Sequence, residues 1–582
     1  MSTPRLPAPF SRRDTPSGTV IGNREATASG NDVHAWRGLR YAAPPVGPLR
    51  WRAPQPAPGW EGCLEAIAHG AMAPQIAGRL APVPAAQHGQ VIGDEDCLFL
   101  NIFAPVDAKA GAGRPVMVWI HGGGNAVGTA ASFDVARNLA AEDGVIVVTV
   151  NYRLGVLGWF CHPALQQGAE LSDADRSGNF ALLDLIAALR WVQTHIAAFG
   201  GDPGCVTVFG ESAGGQQVLL LLASPLAQGL FHRAIAQSPV CESFSREQAV
   251  HGGDSPLECQ RCGSEEVVRR LLARAGLPSP PHDLADWLRE RSPAELLAAH
   301  VPGSEGIYLA PRPIRDGVVL PLSPLQEVFR QGQWHRMPVL LGSNRDEYRT
   351  FLAGKPEHCR LLGGKLPILK DRAAYLMESG LLSRAWRAHH VDSPADAMLA
   401  SGHEAVWSYR FDWDEAPAIP FIRPDLLLGA AHAMEMAFVF RDEAGEFDLF
   451  QVNTPFNRRG RQALCRAMGA AWTSFARDGR PTLPDGTAWP ARGEQAAESL
   501  VLDSPSGGGL RMASARESLD TIQQELQQPS ALEPLARLRC FARVFLWSPL
   551  FAGIVDQAAY HRLRERLGRS EPPELFRPVS EI

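Results

Sequence analysis

The sequence predicts an α/β protein built on a large, mostly parallel central sheet flanked by helices. Three observations carry that prediction. Between about residues 113 and 240, short apolar runs alternate with segments of helical spacing, the pattern of consecutive βαβ units. The runs are apolar along their length, as expected of strands covered on both faces. The composition, 45% hydrophobic and 20% charged over 582 residues, supplies a large core.

Taken in order, "PVMVWI" (115–120) reads as a short buried strand and "GVIVVTVNY" (144–152) as a second, rich in valine. "FALLDLIAALRWVQTHIAAFG" (180–200) carries apolar residues at helical spacing. "CVTVFG" (205–210) is a third strand, "AGGQQVLLLLASPLA" the next helix, and "RAIAQSP" (233–239) leads into a further short strand. "MPVLLGSN" (337–344) reads as a strand running into a glycine turn. The rest of 245–430 reads as mostly helical with proline-rich joints, and no internal repeat or low-complexity tract occurs.

Composition excludes several classes of partner. A net charge of −6 gives no electrostatic case for nucleic acid. The first residues, "MSTPRLPAPFSRRDTPSG", contain no apolar core of a signal peptide, and no run of about 18 apolar residues is evident. The expectation is a cytoplasmic protein without a transmembrane segment. Ten cysteines in such a compartment are not read as disulfides. Most stand alone in apolar runs, as Cys205 and Cys540 do, and act as small core residues. The close pair Cys259 and Cys262 lacks the second ligand pair of a zinc site and does not open a helix. No metal or organic cofactor is implied.

The stretch "VFGESAGG" (208–215) carries the first chemistry. In a parallel sheet, ligands sit at the C-terminal ends of the strands. Ser212 lies at such an end, between a strand and a helix, with Gly210 and Gly214 leaving room for a sharp turn. A strained turn of this form lifts a serine oxygen out of the sheet and sets it at a helix N-terminus. A plain tight turn would need the same glycines. "WIHGGGNAVG" (119–128) follows the first strand of the block, and its glycines expose consecutive amides. Gly123 and Gly124 would donate N–H groups to an oxyanion, and Ala213, next after the serine, a third. A serine hydroxyl also needs an oriented base. From residue types alone the acid could be Asp346 or Glu347, both after a buried strand, and the base any of 17 histidines.

The chain resembles the type-B carboxylesterase/lipase family, the cholinesterase-like branch of the α/β-hydrolases, from about residue 15 to 525. The matching motifs include "GLRYAAPPVGPLRWRAPQP" (38–56), "EDCLFLNIFAP" (95–105), "HGGGN", "NYRLGVLGWF" (151–160), "VTVFGESAGG", "LLGSNRDE" (340–347), "GAAHAMEMAFVF" (429–440) and "AWTSFARDGRP" (471–481). They occur in the family's order. The resemblance implies an α/β-hydrolase fold with helical insertions over the active site, on one large catalytic domain. It implies a triad of Ser212, Glu347 and His432, and an oxyanion hole at Gly123, Gly124 and Ala213. It also implies two buried ion pairs, Arg50 with Glu95 and Arg153 with Asp184.

The chain departs from the family pattern at identifiable places. Ala73 stands where secreted relatives have a disulfide cysteine paired with the one at Cys97, and Cys63 lies ten residues earlier. Asn125 replaces the usual aromatic residue after the glycines, and Tyr348 the usual glycine after the acid. No Trp lies between Gly62 and Cys97, so the cation–π device of cholinesterases is missing there.

The expected organisation is a flexible tail over 1–14, a catalytic domain over 15–526 and a helical extension over 527–582. That extension is read as a helix pair on the body, with a homodimer contact or a membrane-surface helix as alternatives. The expected function is a serine carboxylesterase acting on small-molecule esters through an acyl-enzyme. An amide or carbamate hydrolase on the same site, or a non-catalytic binding protein of the same fold, are the other readings.

Overall fold

The computed structural model describes residues 11–577, apart from 79–80, 253–262, 301–310, 363–365, 418–422, 487–488, 496–497, 529–532 and 549–556. Cys259 and Cys262 therefore lie outside the described residues.

Eleven strands form the central sheet. In chain order they are β1 (Asn23–Ala26), β2 (Asp32–Arg40), β3 (Phe99–Pro105), β4 (Arg114–Ile120), β5 (Ile146–Val150), β6 (Gly201–Glu211), β7 (Arg233–Gln237), β8 (Val339–Asn344), β9 (Val406–Phe411), β10 (Ser499–Leu502) and β11 (Arg511–Ala513). Their spatial order is β11-β10-β9-β8-β7-β6-β4-β5-β3-β2-β1. From β5 through β10 every neighbouring pair is parallel. The antiparallel pairs lie at the two margins.

The parallel strands divide their side chains by the two-residue period of a pleated strand. Val116, Val118, Ile120, Val206, Val208, Ala234 and Ala236 face one core, against α1 (Phe180–His195) and α2 (Ala213–Ala223). Met117, Trp119, Val147, Phe209, Ile235 and Leu340 face the other, against Leu464, Met468, Trp472 and Phe475 of the helix Arg458–Asp478. The register sets Ile120, Val150 and Gly210 side by side, and Glu211 beside Gln237. The C-terminal ends of four strands thus open at one place.

Several sequence expectations need amending. Segment 245–430 is not only helical: it contains β9 and a hairpin, Cys359–Leu362 with Leu366–Leu369. Gly342, read as a turn, sits inside β8, where a Cβ would lie 2.1 Å from the Tyr409 ring. "RAIAQ" is itself β7 rather than the approach to a strand. Among the described residues one helical segment, Phe180–Phe199, is long and apolar enough to cross a membrane by length and composition although Asp184 and Arg190 interrupt its apolar run, and 72% of the window is buried inside the protein. Its apolar residues face the sheet and its neighbours, as in a core helix. Within the expected tail, residues Arg12–Thr15 form a strand paired with Gly18–Ile21, and Ser11 is buried. The rest of that tail, 1–10, lies outside the described residues.

At the C-terminal end, α3 (Arg372–Arg387) meets α4 (Pro534–Phe541) and α5 (Gln557–Arg566). Phe541, Phe545, Trp547, Tyr560 and Leu563 share a buried cluster with Tyr348, Tyr375, Leu382 and Trp386. Tyr348 and Ser548 join their hydroxyls at 3.0 Å.

The two ion pairs expected from the resemblance are present. Arg50 donates from Nε to Glu95 Oε1 at 2.7 Å. Arg153 forks onto Asp184, Nε to Oδ2 at 2.8 Å and Nη2 to Oδ1 at 2.6 Å, with Asp184 fully buried. Removing Asp184 would leave an uncompensated guanidinium in the core. Asp184→Ala is expected to lose about 3–5 kcal/mol of stability, measured as a lower denaturant midpoint at unchanged slope. A midpoint within experimental error of the parent would contradict the structural role.

Candidate active site

The turn after β6 is built by what its residues cannot contain. Ser212 has φ 59 and ψ −119, a conformation in which a non-glycine residue stores strain. A Cβ at Gly214 would lie 2.0 Å from the Ile120 carbonyl oxygen, and one at Gly210 would lie 2.6 Å from the Gly214 backbone. Any larger side chain at either position pushes the turn off the end of β4. The Ser212 N–H donates to the Gln237 carbonyl at 2.9 Å and ties the turn to β7. Ser212 is partly exposed while its neighbours on both sides are buried.

The glycine loop follows β4. Gly123, Gly124 and Asn125 all have positive φ, at 107, 62 and 58. The Gly123 carbonyl accepts from Ala126 and Val127 N–H, which turns the loop back on itself. No acceptor among the described residues takes the N–H of Gly123, Gly124 or Ala213. Ala213 is the first residue of α2, where N–H groups have no partner within the helix. Across the loop, a Cβ at Gly122 would meet Ser212 Cβ at 3.1 Å, so the loop lies against the serine turn.

Glu347 follows β8 and is fully buried. Its Oε1 accepts from Ser238 Oγ and from the Asn344 N–H, both at 2.6 Å. Its Oε2 lies 2.5 Å from His432 Nδ1. Asp346, the other candidate acid, turns away. It pairs with Arg345 at 2.8 Å and Arg349 at 2.9 Å and accepts from Ala430 N–H. Residues 347 and 432 are thus brought together from distant parts of the chain. The His432 ring is covered by Trp386 of α3 and by Phe351, with centroids 5.0 and 5.2 Å away.

The third expected member is placed differently. No hydrogen bond joins Ser212 Oγ to His432. The ring's other nitrogen, Nε2, lies 3.1 Å from Oε1 of Glu211, the residue before the serine. Catalytic hydrogen bonds are often long or misaligned in a protein without substrate.

Glu211 is a residue that the sequence reading passed over. Its signal was an acid beside the serine in a turn of otherwise small residues, at a strand end where a charge is costly. Glu435 joins it: Asn344 Nδ2 donates to Glu435 Oε2 at 2.6 Å and Gln237 Nε2 to Oε1 at 3.2 Å. Three glutamates and one imidazole therefore share a buried cluster. Burial pushes the Glu211 carboxyl up to about 8, with Glu435 and Glu347 adding to the rise and His432 opposing it. Burial also raises Glu435. Burial pulls His432 down, but the carboxylates of Glu211 and Glu347 outweigh it and hold the ring at about 9. Among the described residues no cluster of three or more His, Cys, Asp or Glu could hold a metal ion.

Comparison with known proteins finds relatives over most of the chain. The model of the carboxylesterase family matches residues 11–365. The chain is 35% identical over 514 residues to a para-nitrobenzyl esterase of Bacillus subtilis (strain 168), covering 84% of this chain and 94% of that protein. It is 34% identical over 554 residues to a fumonisin B1 esterase of Sphingopyxis macrogoltabida, covering 89% and 90%. Among solved structures, a PNB esterase superposes with a TM-score of 0.65 at 29% identity, covering 90% of this chain and 100% of that one.

Proposed function

The chain belongs to the carboxylesterase family, and from that premise we propose that it hydrolyses small-molecule carboxylic esters through an acyl-enzyme on Ser212, with His432 as base, Glu347 as its orienting acid and a backbone oxyanion hole. The observation that supports this most is the 2.5 Å contact between Glu347 Oε2 and His432 Nδ1, set beside a strained serine turn and the amides of Gly123, Gly124 and Ala213, which no acceptor among the described residues takes.

The steps follow from acyl-transfer chemistry. His432 Nε2 turns from Glu211 to the adjoining Ser212 hydroxyl and takes its proton as Oγ attacks the ester carbonyl. The carbonyl electrons move to oxygen, which receives N–H bonds from Gly123, Gly124 and Ala213. Glu347 holds Nδ1 protonated and stabilises the imidazolium. The alkoxide leaves with the proton from Nε2, and the acyl group stays on Ser212. Water, deprotonated by the same nitrogen, attacks the acyl carbon; the bond from that carbon to Ser212 Oγ breaks, Oγ takes the proton back from Nε2, and the acid is released.

Rapid mixing with a nitrophenyl ester tests the two-step scheme. A burst of one nitrophenolate per chain, followed by slower turnover, is expected where deacylation limits. If no ester of an acyl-length series shows either a burst or a trapped acyl group on the protein, the intermediate is wrong.

The carboxylate cluster has a kinetic consequence. His432 must be neutral to accept a proton, and lowering the pH charges it, so kcat/KM falls on the acid side. Because the carboxylates raise the ring above its ordinary value, that limb should lie above histidine's usual pKa of about 6.5. Glu211→Gln removes one negative neighbour, stabilises the imidazolium less and moves the acid limb down by roughly one pH unit. An acid limb unmoved by the substitution would show that Glu211 does not act on His432.

A further inference from the structure

Asn125 stands where the family resemblance expects an aromatic ring, and the structure shows what the carboxamide does instead. Asn125 is buried and left-handed, a conformation asparagine adopts more readily than other side chains bearing a Cβ. Both ends of its amide are used. Nδ2 donates to Gln216 Oε1 at 2.8 Å, and Oδ1 accepts from Gln217 Nε2 at 2.8 Å. Gln216 Nε2 continues to the Glu242 carbonyl at 2.9 Å. The Asn125 carbonyl accepts from Gly155 N–H at 2.6 Å. Gln216 and Gln217 lie early in α2, four and five residues after Ser212, and both are buried.

We propose that Asn125, Gln216 and Gln217 form a carboxamide staple that fixes the two halves of the oxyanion hole against each other, making Asn125 a positioning residue for acyl transfer. This rests on the reading of the site given above. Gly123 and Gly124 hang from the end of β4, while Ala213 opens α2 after β6, so the hole is assembled from two separate segments. Glycines carry no side chain with which to hold their own position. The bonds to Gly123 O from Ala126 and Val127 shape the loop internally but do not reach α2. The staple does reach it, through two side-chain bonds between buried residues. An aromatic residue at 125 could make neither bond, and the two consecutive glutamines supply one acceptor and one donor that match a single asparagine.

The hole binds the oxygen as it becomes charged, so loosening it lowers kcat more than it changes KM. Displacing donors by about 1 Å costs on the order of 100-fold in rate. Two substitutions separate the staple from backbone effects. Asn125→Gly keeps the left-handed conformation and removes both bonds. Gln217→Met leaves residue 125 untouched, keeps a helix-forming side chain and removes one. Each is read by nitrophenyl acetate kinetics and by affinity for a trifluoromethyl ketone. Ser212 Oγ adds to the carbonyl carbon of that ketone, its proton passes to His432 Nε2, and the carbonyl electrons move to the oxygen, which rests as an oxyanion in the hole.

The expected result is a kcat lower by roughly 10- to 100-fold in Asn125→Gly and a smaller loss in Gln217→Met. KM should stay within about threefold, and ketone affinity should fall in step with kcat/KM. If Asn125→Gly does not fold, as judged by its thermal transition, Gln217→Met decides alone. The proposal is overturned if the folded variants keep kcat and ketone affinity within about twofold of the parent, or if KM rises at unchanged kcat. Failure of the underlying reading shows separately: Ser212→Ala would then retain the esterase activity of the parent.

Discussion

Ser212→Ala should remain folded and lose about 10⁴- to 10⁶-fold in kcat toward nitrophenyl esters. In the proposed mechanism the hydroxyl oxygen is the atom that forms the acyl bond, and no neighbouring group replaces it. Glu211, the carboxyl that precedes it in the chain, is buried, and its pKa is raised. The substitution removes one atom that makes no hydrogen bond among the described residues and leaves the turn's backbone contacts, Ser212 N–H to Gln237 and the Gly214 packing on Ile120, unchanged. Activity should collapse while the thermal transition barely moves. A variant within tenfold of the parent would place the nucleophile elsewhere.

Glu347→Gln should cost on the order of 10⁴-fold in kcat, nearly as much, although residue 347 is fully buried and in the proposed mechanism acts only through His432. The reason is a conflict of donors. The carboxylate accepts three bonds, from Ser238 Oγ, Asn344 N–H and His432 Nδ1. A carboxamide has one oxygen. If that oxygen faces Ser238 and Asn344, its NH₂ faces Nδ1, which must then be the unprotonated nitrogen. The ring's proton moves to Nε2, and the base cannot accept from serine. If the oxygen faces His432, the NH₂ meets the Asn344 N–H in a buried position, a clash of donors worth about 1–3 kcal/mol of stability. Either orientation costs activity or fold. Glu347→Asp, which keeps the charge at a shorter reach, should recover part of kcat. Wild-type rates in Glu347→Gln would mean that the base is oriented by another acid.

These effects show which parts of the protein were legible in the sequence. Strands β4, β5 and β6 were plain because burial on both faces demands unbroken apolar runs such as "PVMVWI" and "IVVTV". Strand β9, "VWSYRF", lies in a stretch read as helical, although its aromatics alternate with serine and arginine at the two-residue period of a strand. Gly342 signals a turn in isolation, yet the Tyr409 ring from the next strand lies against it, a contact 67 residues distant. The serine turn could be argued locally because its glycines answer a local steric demand. His432 could not, because nothing within ten residues marks it. Its partner lies 85 positions earlier, and only the family resemblance singled it out.

Glu211 shows the opposite failure. It sat inside the quoted motif and carried no meaning there, because its role depends on burial and on three distant charges. Asn125 was noticed as a departure, but its partners in α2 lie some 90 residues away, and only folding brings them within bonding distance.

The central claim is that Ser212, His432 and Glu347 act together on one acyl group. The most direct measurement is peptide mapping of the protein after brief exposure to a fluorophosphonate, which captures an activated serine as a stable phosphonyl ester. The account predicts a single adduct on the peptide bearing Ser212, formed far more slowly in His432→Ala. An adduct on another residue, or ester hydrolysis that continues at full rate once Ser212 is fully phosphonylated, would contradict it.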